Sequence, residues 1–233
     1  MPGQNFFLIT SLPSLGELGS APPLRPAQLL DHVAQNRTAY QIIEYLFLSY
    51  DLLQRQGVLA GEITEPDLKI LTEAQARNEE PLPDYLTIQA EDEQEETRRK
   101  KIPDDDIWEA YFRHGMVLAR QCHSLFLKEV LGFEVALRNA LAEARARSLE
   151  LDPADYLVAP ELGQAEAEVD FEEIVDDWAS AATPLEGRQE LDSARWEWLA
   201  ANDRWFSFQN DELAAYAIRL MLLYRWDRLT HTS

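Results

Sequence analysis

Apolar side chains recur along this chain every three or four residues, the spacing that gathers them on one face of an α-helix. No segment longer than five residues alternates apolar and polar positions as a strand does, and no Asn-Gly turn joins two apolar runs. The pattern predicts an all-α protein. Phe6 to Ile9 is too short to assign by period and reads as a short strand or the start of a buried helix. Gly16 to Pro26 is a loop, and Pro26 suits the first turn of a helix reaching about Asn36. The next helix, Thr38 to Gln56, carries Ile43, Leu46, Phe47, Tyr50 and Leu53 on one face, with Ile42, Tyr45, Leu48 and Leu52 over much of the rest. A helix apolar nearly all round is a buried one. Gly57 and Gly61 stop it, and a short helix is expected over Glu65 to Arg77 with Pro66 in its first turn.

Asn78 to Pro103 breaks the pattern. It holds Pro81, Pro83 and Pro103, and its centre reads EDEQEETRRKKIPDDD, blocks of like charge that predict a solvated, mobile connector. The longest element comes next. Trp108, Phe112, Leu118, Cys122, Phe126, Val130, Phe133, Leu137, Leu141 and Ala144 keep helical spacing, so one helix about 65 Å long is expected from Asp104 to Ser148, with Gly132 as the place for a bend. Asp104, Asp105 and Asp106 put negative charge where the helix dipole favours it, a better account of them than an acid/base cluster. Asp152-Pro153 ends the element. Further helices are expected around Phe171 to Ala179, from Thr183-Pro184 through Leu191, Trp198 and Leu199, and from Asn210 to Leu229, with a break at Asn202 to Phe208. The architecture this predicts is a helical bundle of two subdomains around one long helix: residues 1–90, a charged linker over 91–103, and residues 104–233.

Charge narrows the choice of partner. The chain carries 42 acids against 21 bases, a formal net charge of −21, which repels phosphate backbones and anionic lipid; nucleic acid is not an expected partner. The imbalance is local as well: Asp152 to Glu186 holds 11 acids and no Lys, Arg or His, whereas Arg113 to Arg147 holds 6 Lys and Arg against 3 Glu. These two stretches are expected to face each other, or the acidic one a cationic partner. No basic n-region opens the chain and no run of about 18 apolar residues occurs, so neither a secretory signal nor a membrane span is expected. One cysteine excludes a disulfide scaffold and a thiolate metal cage.

The motifs of bond-making chemistry are missing. There is no phosphate-cradling glycine loop, no Gly-x-Ser-x-Gly elbow, no His-Glu-x-x-His and no Glu-x-x-His pair. His114, Cys122 and His123 share one predicted helix but are too far apart and too differently directed to hold one ion. Cys122 lies on the apolar stripe and is expected to be a buried, inert thiol. Neither a cofactor nor a metal is expected, and the chain reads as a non-catalytic protein that binds other proteins. The competing class is a small helical enzyme using the acids around Asp170 to Asp177 with Mg²⁺, which rests on carboxylate density alone. For a binding protein, the candidate contact residues are the one basic run, Arg98, Arg99, Lys100 and Lys101, and the predicted break at Arg204, Trp205 and Phe206. Trp198 and Trp226 are expected in the core, whereas Trp205, in the predicted break beside Arg204, reads equally as core or interface, since large aromatics anchor both.

Three stretches carry a resemblance. The opening FFLITSLPSL and the closing LDSARWEWLAANDRWFSFQNDELAAYAIRLMLLYRW look like the two ends of a bacterial domain-of-unknown-function family whose genes accompany those of V/A-type ATPases. The matching positions at the closing end are Leu191-Asp192, Arg195-Trp196, Phe206 to Phe208, Ala215-Tyr216 and Arg225-Trp226. The stretch FEVALRNALAEARAR, Phe133 to Arg147, resembles an Asn-containing helix of the C subunit of V/A-type ATPases, known in eukaryotes as the d subunit. The resemblance implies a helical socket coupling the central stalk to the membrane rotor ring, held on the cytoplasmic face of the inner membrane through those protein partners. The C subunit is longer, with three similar helical subdomains, whereas this chain has room for about two.

Overall fold

A computed structural model describes residues 5–87, 102–163, 169–202 and 204–231. All regular elements among these residues are helical. They are α1 (Phe6–Thr10), α2 (Pro26–Val33), α3 (Arg37–Leu59), α4 (Glu73–Ala76), α5 (Pro103–Cys122), α6 (Leu125–Ser148), α7 (Phe171–Ser180), α8 (Pro184–Ala201) and α9 (Asn210–His231). Single 3-10 turns lie at Asp84–Leu86, Pro153–Tyr156 and Pro160–Leu162. The basic run Arg98 to Lys101 lies outside the described residues.

Two helices from opposite ends of the chain form the heart of the molecule. α3 packs along α9 and also touches α2, α4 and α5. Its apolar sides serve two packed clusters: Ile43, Phe47 and Tyr50 meet Leu29, Leu213 and Leu220, while Ile42, Leu48 and Leu52 join α5, α6, α8 and α9. This is why α3 is greasy nearly all round. α5 approaches α3 closely at Gly115, where a Cβ would lie 2.1 Å from the Tyr45 hydroxyl oxygen. The gap lets Tyr45 stack on Tyr111, with centroids 4.5 Å apart, and donate to the Tyr111 carbonyl at 2.9 Å.

The expected 65 Å helix is two helices. His123 takes a left-handed conformation (φ 52°, ψ 37°) and Ser124 caps α6, its hydroxyl accepting from the Leu127 N–H at 3.0 Å. The break is at His123, not at Gly132, which is buried within α6. Asp211 of α9 braces it, accepting from the Ser124 hydroxyl and from the Phe126 N–H. The apolar stripe stays in phase across the joint, since Phe126, Val130 and Phe133 remain buried, so the spacing of greasy positions carries no sign of the turn.

The helix expected over Glu65 to Arg77 shrinks to α4. The buried Asp51 carboxylate of α3 accepts the N–H groups of Lys69, Ile70 and Leu71 at 2.6–2.9 Å, holding that backbone in an uncoiled path. Burial raises the Asp51 pKa although these three donors favour its charge. Only at Thr72 does a helix begin, with a Thr72–Gln75 capping box. The short run at the chain's start resolves as the helix α1, not a strand.

The described parts of the acidic stretch lie along the basic one. α6 packs against both 3-10 turns that come after it and against α7. Arg113 pairs with Glu161 at 2.8 Å, and Arg145 stacks over Trp178 at 4.9 Å. Asn139, the asparagine of the FEVALRNALAEARAR stretch, accepts the Val158 N–H at 2.8 Å and donates to the Val158 carbonyl at 3.0 Å, tying the returning chain to α6. No helix among the described residues is long and apolar enough to cross a membrane.

Candidate functional site: a braced aromatic end and a buried arginine cluster

The break before α9 presents aromatic rings to solvent on a rigid base. Phe206 is 81 % exposed and Trp205 55 %. Phe206 and Phe208 both hold left-handed backbone conformations (φ 62° and 51°), which cost a non-glycine residue about 1–2 kcal/mol each. Glu212, buried in the first turn of α9, holds the turn in place. Its carboxylate accepts the Phe208 N–H at 2.7 Å and the Phe206 N–H at 3.2 Å. Arg204 is ion-paired to Glu129 of α6, and Arg219 sits between the Trp196 and Trp205 rings at 5.6 and 5.4 Å. Arg204 thus braces the turn through Glu129 with its side chain still 34 % exposed, and Trp205 and Phe206 are the rings that face solvent.

The N-terminal segment extends this surface. Phe6 packs against Phe208 with centroids 5.1 Å apart, and Phe7 is 78 % exposed. Three asparagines fix α1 there. Asn36, the cap of α3, donates to Asn5 at 2.7 Å and to Asn210 at 2.9 Å, and Asn5 donates to Asn210 at 2.9 Å. Phe6 and Phe7 were not legible as contact residues, because a pair of phenylalanines in a short apolar run reads equally well as core.

The Arg-Trp pairs of the closing pattern lie elsewhere, inside the bundle. Arg195 donates to both Glu134 oxygens at 2.7 and 2.9 Å, and Arg225 to the fully buried Asp192 at 2.9 Å. Arg195 and Arg188 also approach Asp192, at 3.5 and 3.6 Å. Burial, with Arg188 and Arg195 nearby, pulls the Arg225 guanidinium down to about 10 against the attraction of Asp192. Burial also opposes the charge on Arg195, but the Glu134 pair outweighs it and holds that guanidinium well above its ordinary range. The companion tryptophans flank this cluster's helices: Trp196 stacks with Arg219, and Trp226 lies half-buried against Gly19. Trp198 is buried as expected, stacked on Phe133 at 5.0 Å.

This arrangement gives Asp192, Arg195 and Arg225 a common physical task. Residues 37–232 match the family described as protein of unknown function (DUF2764). The chain belongs to this family. The DUF2764 match takes in the aromatic turn and the whole arginine cluster, and begins after α1. No curated protein and no solved structure matches the chain.

The remaining candidates make local caps, ion pairs and ring contacts. Among the described residues, no group of three His, Cys, Asp or Glu is arranged to hold a metal ion. His114 stacks on Tyr85 at 4.3 Å, and burial lowers its pKa. Asp170 caps α7 by accepting the Glu172 and Glu173 N–H groups. Asp104 and Asp105 stand in the first turn of α5 and pair with Arg55 and Arg138. Cys122 is partly exposed rather than buried, since it stands in the last turn of α5 where that helix gives way, and partial burial raises its thiol pKa.

Proposed function

We propose that this DUF2764 protein is a non-catalytic component of a V/A-type rotary ATPase, a socket like the C subunit, set between the central stalk and the membrane rotor ring. The observation that carries the reading is the braced aromatic turn. Interface hot spots are enriched in aromatic residues set on a pre-organised base, and Phe206 is held 81 % exposed by the buried Glu212. The all-helical build and the sequence likeness to the C subunit's Asn-containing helix support the choice of complex. In this reading Trp205 and Phe206 contact the stalk, the Arg98 to Lys101 run supplies a second docking patch, and the chain sits at the cytoplasmic face of the membrane through its partners.

Purification of the rotary ATPase from the native source tests it. The chain is expected in stoichiometric amount, and replacing Trp205 and Phe206 together by Ala is expected to weaken affinity for the stalk proteins at least tenfold with the fold intact. Absence from the finished enzyme but presence in partial complexes would make it an assembly factor instead. Absence from both removes the proposal.

A further inference from the structure

A cavity of about 590 Å³ opens between α3, α5, α6 and α9. That volume is within the usual range for small-molecule sites. Its walls are apolar helix faces, including Leu46, Leu53, Trp108, Leu141, Ile218 and Met221. At its rim stand three large apolar side chains exposed to water, Ile102 (45 %), Leu149 (67 %) and Leu151 (43 %). Those rim residues and the Phe206 surface are separate features.

The charges in the wall run against the character of the chain. In a protein of net charge −21, the cavity is lined by Arg138, Arg145, Arg195 and Arg225 against only Asp105 and Glu134. Arg195 and Arg225 belong to the buried cluster, where three guanidiniums share the carboxylates of Asp192 and Glu134. Counted with Arg188, whose side chain is 37 % exposed, the cluster holds one more positive charge than its two carboxylates balance. Among the described residues, the Arg225 Nε is buried with no hydrogen-bond partner, as is the Asp192 Oδ2 on the other side of the pair. Buried polar atoms are nearly always paired, and an unpaired buried charge is costly. An anionic group entering the cavity would relieve both deficits.

The walls also define the rest of the ligand beyond its anionic head. Helical backbone in them is already hydrogen-bonded to itself, so an extended peptide would bring amide groups that find no partners. A peptide helix about 10 Å across would fill the volume within about one and a half turns. An alkyl chain needs no polar partner and matches both the walls and the rim.

We propose that this cavity binds a single-chain anionic amphiphile, with its carboxylate or phosphate head against Arg225 and Arg195 and its alkyl chain against the apolar walls. The proposal is independent of the rotary ATPase reading. Calorimetric titration of the full chain with dodecanoate and with dodecyl phosphate, both below micelle formation, tests it. Saturable binding of one molecule per chain is expected for at least one of them, and the tighter probe identifies the head group. Dodecyl maltoside and dodecyltrimethylammonium are expected to bind at least tenfold more weakly, and butyrate not to bind. Ala142→Trp, on the α6 wall, should abolish binding by filling the space, and Arg225→Gln should weaken it at least tenfold. If Arg225→Gln does not fold, Ala142→Trp and the neutral probe still decide. No saturable binding, equal binding of the neutral chain, or binding undiminished in folded Ala142→Trp overturns the proposal.

Discussion

At the Trp205–Phe206 turn the charged groups lie beneath and the rings face water; around Asp192 the charged groups lie inside and the apolar side chains surround them. Both regions draw on α6, α8 and α9, and both depend on carboxylates that are almost wholly buried. The difference is what each carboxylate serves. Glu212 accepts backbone N–H groups and fixes a surface shape. Asp192 neutralises side-chain cations and lets helices α8 and α9 close on one another. A surface device of the first kind can lose its rings cheaply, whereas an interior device of the second kind cannot lose a single partner.

The strongest way to break that contrast is Asp192→Ala. It leaves Arg225, Arg195 and Arg188 facing one another with only Glu134 in reach. Removing one partner of a buried ion pair costs about 3–5 kcal/mol, and urea unfolding should show a loss of that size. A loss under about 1 kcal/mol would mean that water reaches the cluster freely and that its burial is not what matters.

Glu212→Ala should come next, at about 2 kcal/mol, because the amides of Phe206 and Phe208 lose their acceptor while remaining close to water. The sharper readout is local. Hydrogen exchange at those two amides should speed up far more than in α3, and, on the proposed function, stalk affinity should fall although both rings remain. Unchanged exchange would show that the Arg204–Glu129 pair alone fixes the turn.

Asp67 is an intermediate case, a partly buried carboxylate that meets both cations and tyrosine hydroxyls. Lys69, Arg228 and the Tyr224 hydroxyl surround it and join the segment after α3 to α9. Burial opposes its charge, yet Lys69, Tyr224 and Arg228 together hold the carboxyl below its ordinary value. A depressed folded pKa adds stability above the unfolded value of about 3.9 and loses it as pH falls through the folded value. Melting temperatures of the native chain and Asp67→Asn should therefore differ above pH about 4 and converge below it. A constant difference across that window would assign the effect to hydrogen bonding rather than charge.

The same contrast explains what the sequence made legible. Helix spacing located α2, α3, α5, α8 and α9 because burial follows apolar periodicity, and Ile42, Phe47, Phe133 and Leu220 are all core. It missed the joint at His123 because the cap comes from Ser124 and its brace from Asp211, 87 residues away in sequence. It overextended the helix ending at Arg77 because a distant buried carboxylate, Asp51, captures the intervening amides. Trp205 and Phe206 were legible as lying in a break between helices, and their exposure needed the fold. The neighbouring Phe6 and Phe7 were not legible as contact residues, since α1 is placed beside Phe208 by the distant asparagine triad and by packing of Leu8 and Ile9 on the core. The Arg-Trp pairs were visible as a pattern, but their convergence on Asp192 and Glu134 needed the fold.

The smallest stability effect is the most informative about the aromatic end. Replacing Trp205 and Phe206 together by Ala should change stability by no more than about 0.5 kcal/mol, as exposed positions usually do. Trp196 still receives Arg219 in that variant. Phe206→Ala and Phe206→Gly then separate shape from strain. Both remove the ring, but alanine keeps the left-handed penalty at φ 62° and glycine does not. The glycine variant should be more stable than the alanine variant by about 1 kcal/mol in denaturant unfolding, and the proposed function adds that stalk affinity is equally weak in both. That outcome would show the protein maintaining a strained backbone to keep a phenylalanine in water, a cost with no return inside the fold. Equal stability of the two variants would mean that the turn relaxes once the ring is gone, and that the ring itself, rather than Glu212, sets the backbone.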